Sequence, residues 1–151
     1  MQILNKSVDT EEGIAFLLAA MRQLEIFAAV PEDYLRKLIY FVQVARFEPD
    51  EVVFEKGAPG NAFFVIHTGG VEARTPGLLG DSVLSAMGPG EFFGELALIL
   101  KQPRSATIVA LEETVCFLLD TSDFERFMEL NPELAAAIKD IARRRYDNSP
   151  G

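Results

Sequence analysis

Glu95 and Arg104 flank a short segment, Gly94-Glu95-Leu96-Ala97-Leu98-Ile99-Leu100-Lys101-Gln102-Pro103-Arg104-Ser105-Ala106-Thr107, whose residue types suit the capture of an anion. Arginine serves a phosphate better than lysine because its planar fork donates two hydrogen bonds at once. Glu95 to Ile99 are good helix formers but too few for a helix that stands alone. So short a helix leaves most of its N–H groups without partners, and those groups attract negative charge. Gly88-Pro89-Gly90, ahead of the segment, breaks regular structure and lets backbone approach a ligand. Pro103 stops the loop before Arg104, so one fixed cation can reach the same point. Glu95 would repel a bare phosphate. It makes sense beside a phosphate that carries a neighbouring hydroxyl, as on a ribose, from which a carboxylate can accept.

With Phe93 in front, the run resembles the phosphate-binding cassette of cyclic nucleotide-binding domains, whose pattern is roughly F-G-E-L-A-L, a short variable loop, then P-R-x-A-T. Phe93 to Leu98 and Pro103 to Thr107 match it at the family's spacing. The resemblance implies a ligand floor of Gly94, Glu95, Leu96, Ala97, Arg104, Ser105 and Ala106. In that floor Arg104 and the backbone N–H groups of Glu95 to Ala97, Ser105 and Ala106 surround the phosphate. Glu95 accepts from the ribose 2′-hydroxyl. The family tends to have Thr at the position of Ser105 when it prefers cyclic GMP, and Ala or Ser when it prefers cyclic AMP. Serine therefore tilts the chain toward cyclic AMP as ligand, with a cyclic GMP-preferring module as the alternative. No cofactor is implied.

The elements that must position these residues follow from periodicity. Asp9 and Glu12 have capping-box spacing, and Ile14, Leu17, Leu18, Met21 and Leu24 form a helical stripe. Residues 1–8 read as loose. Pro31 fits the first turn of a second helix, with Leu35, Leu38 and Ile39 inward, so helices occupy about 9–40. From about Val42 the period turns strand-like. Val42 to Phe47, Glu51 to Glu55, Ala62 to His67, Val71 to Arg74, Ser82 to Met87, Ser105 to Leu111 and Val115 to Asp120 are separated by turn residues such as Gly57 and Gly69-Gly70. Val83, Ser85 and Met87 alternate along the strand entering the cassette, which makes them candidates for a base pocket. Ser122 and Glu125 have capping-box spacing, and Phe124, Phe127 and Met128 face inward. Asn131 can cap a last helix with Pro132 at its first position.

These elements predict a mainly β chain with flanking helices. A β-roll over about 42–120, holding a short cassette helix at 95–100, is followed by C-terminal helices over about 122–146. Such a meander fits a jelly-roll β-barrel or sandwich, the fold that the resemblance implies. The last helix would close over the base, with Ile138, Ile141 and Tyr146 as candidate lids.

At 151 residues and 49% hydrophobic composition, the chain suits one domain over 1–151 with a sizeable core. A net charge of −9 argues against a nucleic-acid surface. No apolar run nears the roughly 20 residues that span a bilayer. No signal peptide is visible, and Cys116 alone can form no internal disulfide, which agrees with a cytoplasmic setting. His67, the one histidine, reads as a strand residue, which counts against a metal-dependent jelly-roll enzyme. No nucleophile–base pair stands out, and catalysis is not expected. A scaffold that no longer binds nucleotide is a further rival, opposed by the intact Gly94, Glu95, Arg104 and Ala106. Little sequence follows the last helix, so a protein effector outside this chain is expected to carry the output. The expectation covers a standalone sensor, toward which Met1 leans, and an excised regulatory domain.

Overall fold

Ala62, Phe63, Phe64, Val65 and Ile66 are all buried although they follow one another along a strand. Successive side chains of a strand point to opposite faces, so this strand must be covered on both sides. The computed structural model describes residues 1–5 and 8–146, with the backbone alone at Asn5, Arg145 and Tyr146. Its elements begin with β1 (Gln2–Asn5), α1 (Glu11–Met21), α2 (Glu25–Ala28) and α3 (Glu32–Ile39). The strands β2 (Gln43–Phe47), β3 (Val52–Phe54), β4 (Ala62–Thr68), β5 (Val71–Thr75), β6 (Ser82–Met87) and β7 (Phe92–Phe93) follow. After α4 (Leu96–Ile99) come β8 (Thr107–Ala110), β9 (Thr114–Asp120), α5 (Thr121–Leu130) and α6 (Pro132–Tyr146).

The strands form two antiparallel sheets, one ordered β1-β2-β9-β4-β7 and the other β3-β8-β5-β6. Their inner faces meet in one apolar cluster, where Phe47, Phe64, Ile66 and Leu118 of the first sheet join Val71, Ala73 and Ile108 of the second. The other face of β4 and β9, with Phe63, Val65, Phe117 and Leu119, shares a second cluster with helix residues Leu17, Met21, Phe27, Leu38, Phe124 and Ile138. This makes three layers: small sheet, large sheet, helices. Side chains of Leu17, Leu18, Met21, Leu24, Leu35, Leu38 and Ile39 are all buried, so the N-terminal apolar stripes are spent within this chain.

Several local expectations need correction. Residues 1–5 are not loose, residues 6 and 7 lying outside the described residues: β1 adds to the edge of the large sheet by pairing with β2, Ile3 opposite Ala45, and the terminal ammonium meets Glu51. The cap of α1 is Thr10 rather than Asp9, its hydroxyl accepting from the Gly13 N–H at 3.0 Å. Pro31 is the residue that caps α3, after the separate turn α2. Helix α5 starts one residue before Ser122, with Asp120 at its cap, and Glu125 is engaged by Lys101 instead of closing a capping box. Asn131 works backward: its side-chain amide donates to the Phe127 carbonyl at 2.9 Å and closes α5, and only its backbone carbonyl, accepting from Ala135, serves α6.

Candidate functional site

Strand β7 delivers the chain to Gly94, whose φ of +79° lies in the left-handed region that favours glycine. A Cβ at this position would stand 2.7 Å from Nη1 of Arg104 and 3.0 Å from the Ala62 carbonyl. Both backbone conformation and the arginine behind it thus exclude a side chain. Glu95, half-buried, is the N-cap of α4, and its carboxylate makes no capping bond. The Ala97 N–H donates to the Gly94 carbonyl at 3.1 Å and the Leu98 N–H to Glu95 at 3.1 Å, which closes a single turn. Ala97 and Leu98 are buried and anchor that turn. Thr121 at the start of α5 donates from Oγ1 to the Ala97 carbonyl at 3.4 Å, and the Lys101–Glu125 ion pair adds a second tie between cassette and α5.

Arg104 is the unusual residue. Only 7% of it is exposed. Its backbone is held at both ends: its N–H donates to the Ala58 carbonyl and its carbonyl accepts from the Gly57 N–H, each at 2.8 Å. Nη2 donates to the Ala62 carbonyl at 2.7 Å, and the guanidinium carbon lies 4.0 Å from the centre of the Phe54 ring. Nε is buried with no partner among the described residues. No described carboxylate pairs with the guanidinium, and burial alone moves its pKa below the usual arginine value. A buried cation without a counter-charge is costly unless an anion joins it.

The cavity beside this guanidinium has a volume of about 290 Å³, and Gly94, Glu95, Leu96, Ala97, Arg104, Ser105 and Ala106 all line it. Ser85 and Met87 of β6 also line the cavity, but Val83 does not. In the pairing of β5 with β6, Ala73 faces Ser85 while Arg74 faces Val83, so Leu84 is an extra residue in a bulge. The bulge breaks the alternation that would put Val83 beside Ser85, and Leu84 enters the cavity instead. Phe54 and Gln102 also line it, and neither stands out in the sequence. For Phe54 the faint signal is an apolar triplet, Val52-Val53-Phe54, too uniform for an alternating strand.

The proposed lids lie elsewhere. Ile138 is buried in the helix cluster and Ile141 packs half-buried against it, while the Tyr146 side chain lies outside the described residues. Helices α4, α5 and α6 enclose a separate cleft of about 790 Å³ lined by Ile99, Phe124, Met128, Ile138 and Ala142. His67 is enclosed by aromatic rings, stacked on Phe117 at 4.7 Å and edge-on to Phe16 at 4.8 Å. Among the described residues no cluster of three or more His, Cys, Asp or Glu could hold a metal, and no helix is long and apolar enough to cross a membrane.

Two antiparallel sheets backed by helices, with a one-turn helix and a buried arginine at a small cavity, define a ligand-binding module of the jelly-roll class. The family model described as the cyclic nucleotide-binding domain matches residues 44–131, and the chain belongs to that family. It is 32% identical over 124 residues to the cAMP-dependent protein kinase regulatory subunit of Candida albicans, covering 82% of this chain and 26% of that one. It is 30% identical over 130 residues to cGMP-dependent protein kinase 2 of Homo sapiens, covering 82% and 17%. The chain thus spans about a quarter or less of the length of these two relatives. The regulatory domain of Toxoplasma gondii PKA, crystallised with cAMP, superposes with a TM-score of 0.74 at 25% identity, over 91% of this chain and 49% of that one.

Proposed function

We propose that this chain is a regulatory module that binds a purine cyclic nucleotide, cyclic AMP in preference to cyclic GMP, and signals to a protein outside the chain. One observation carries the reading: Arg104 is buried, has no carboxylate among the described residues, keeps Nε unpaired, and lines a cavity that also holds Glu95 and Ser105. A cyclic phosphodiester supplies the missing negative charge. Glu95 accepts from the ribose hydroxyl, and Leu84, Ser85 and Met87 offer an apolar strand with one hydroxyl for the base. The relatives include both a cAMP-dependent and a cGMP-dependent kinase at similar identity, so the preference rests on Ser105.

The output runs through the C-terminal helices. Thr121 and Lys101 tie the cassette to α5, and the cleft under α6 leaves room for that helix to change position. A ligand contacting one position of α6 better than another shifts the population between them. Cytoplasm is the compartment that suits this role.

Calorimetric titration with cyclic AMP and cyclic GMP tests the reading. The wild type takes up both, cyclic AMP more tightly, and Arg104→Ala weakens binding by about a hundredfold, as expected for charge-assisted bonds. No heat with either nucleotide would sink the proposal, and unchanged affinity in the variant would sink the role of Arg104. Ser105→Thr raises relative cyclic GMP affinity; an unchanged ratio would place selectivity elsewhere.

A further inference from the structure

We propose that Phe54 is a positioning residue for the ligand: its ring holds the Arg104 guanidinium by the face and leaves the edge free for an anion. The inference rests on the reading of Arg104 as the phosphate anchor and adds how an unpaired cation is kept in place before ligand arrives.

A guanidinium carries five N–H donors, all in its plane, and has two open faces. A carboxylate partner would occupy the edge and compete with phosphate for the same donors. An aromatic ring attracts the cation through its π-face and uses none of them. The Arg104 guanidinium carbon sits 4.0 Å from the centre of the Phe54 ring, while one edge nitrogen donates to the Ala62 carbonyl and Nε keeps no partner among the described residues. The ring contact thus holds the guanidinium in place without neutralising it.

Local backbone supports a built arrangement. Across β3 and β8, Val52 faces Val109 but Phe54 faces Ile108, so Val53 is an extra residue in the strand. Val53 and Phe54 consequently both pack on the cluster between the sheets, which a regular alternating strand does not allow. The ring is then gripped by Phe93 at 5.8 Å and Phe64 at 6.0 Å. Phe93 directly precedes Gly94, so the cassette and the ring under its arginine share one aromatic cluster.

The test is cyclic AMP affinity in Phe54→Leu, Phe54→Tyr, Arg104→Ala and the double variant Phe54→Leu/Arg104→Ala, with Phe47→Leu as a control. Phe47 touches Phe64 but not the arginine, so its variant reports general loosening of the cluster. Phe54→Leu is expected to weaken binding about five- to thirtyfold, the range between a solvated and a desolvated cation–π contact. Phe54→Tyr restores affinity to within about twofold, because the π-face remains. In the Arg104→Ala background the leucine substitution has no further effect, since the partner is gone. Equal losses for Phe54→Leu and Phe47→Leu, no rescue by tyrosine, or additive losses in the double variant would each overturn the proposal. Absence of wild-type binding overturns instead the reading on which it rests. Should Phe54→Leu fold poorly, the tyrosine variant compared with Phe54→Met at equal folded fraction decides the same point.

Discussion

Gly94 and Gly57 provide a paired measurement of what the buried arginine requires. Their φ angles are nearly equal, +79° and +88°. A Cβ at Gly57 meets nothing within 4 Å, whereas at Gly94 it meets Nη1 of Arg104 at 2.7 Å and the Ala62 carbonyl at 3.0 Å. Alanine at Gly57 therefore costs only the left-handed backbone, about 1 to 2 kcal/mol, partly offset by the smaller entropy of its unfolded chain. Alanine at Gly94 costs the same and also pushes the guanidinium off the Ala62 carbonyl. A hydrogen bond to a charged group contributes about 1.5 to 3 kcal/mol, so Gly94→Ala should lose about 2 to 4 kcal/mol in all. Urea unfolding of both variants gives the difference directly, provided the m-values agree. Cyclic nucleotide affinity gives a second readout, falling about tenfold or more for Gly94→Ala and staying within about twofold for Gly57→Ala. Equal destabilisation by the two substitutions would refute the reasoning, because the contact with Arg104 would then contribute nothing.

Three further outcomes can be checked with simple assays. Burial, then the neighbouring Asp123, raises the pKa of Asp120, so its ionised form is worse off in the fold than in the unfolded chain. That penalty is fully present at neutral pH and fades as pH falls through the folded pKa. Asp120→Asn should thus raise the unfolding free energy at pH 7, by no more than about 1 kcal/mol after solvent screening, with the gain shrinking on acidification; a gain that grows toward acid pH contradicts this. Cys116 is buried and burial pushes its thiol up to about 12. A thiol-disulfide reagent at pH 8 should leave it unlabelled until urea unfolds the protein, and prompt labelling of the native state refutes the packing. Thr114 is fully buried, with Oγ1 accepting from the Gly70 N–H at 3.2 Å and 2.9 Å from the Glu112 carbonyl. Thr114→Val should cost about 2 kcal/mol in urea unfolding by stranding those groups; a loss below about 0.5 kcal/mol shows that the hydroxyl is dispensable.

The cassette was readable because its demands are local. Gly94 is dictated by one φ angle, the length of α4 by a handful of helix formers, and the place of Arg104 by the proline before it. Most strands were readable for the same reason, since turn residues and apolar runs delimit each. Errors fell where a choice depends on something distant. Strand β1 exists because the exposed edge of β2 accepts it, and nothing within Gln2-Ile3-Leu4-Asn5 announces that edge. Thr10 caps α1 in preference to Asp9 because the chain arrives one residue later than the spacing suggests.

By itself, the sequence determined that a glycine-led turn followed by a proline stop and an arginine is present, that β-strands precede and follow it, and that helices lie at both ends. Tertiary structure decided which side chains share the cavity with that turn. Period-two alternation predicts Val83 beside Ser85 and sends Phe54 and Val53 to opposite faces. Two bulges, visible only as mismatched register between paired strands, reverse both predictions and bring Leu84 and Phe54 to the cavity. The folded structure alone also leaves Arg104 buried without a carboxylate among the described residues. The physical reason is the same in each case. Register and burial belong to pairs of segments far apart in the chain, and no residue type within one segment encodes them.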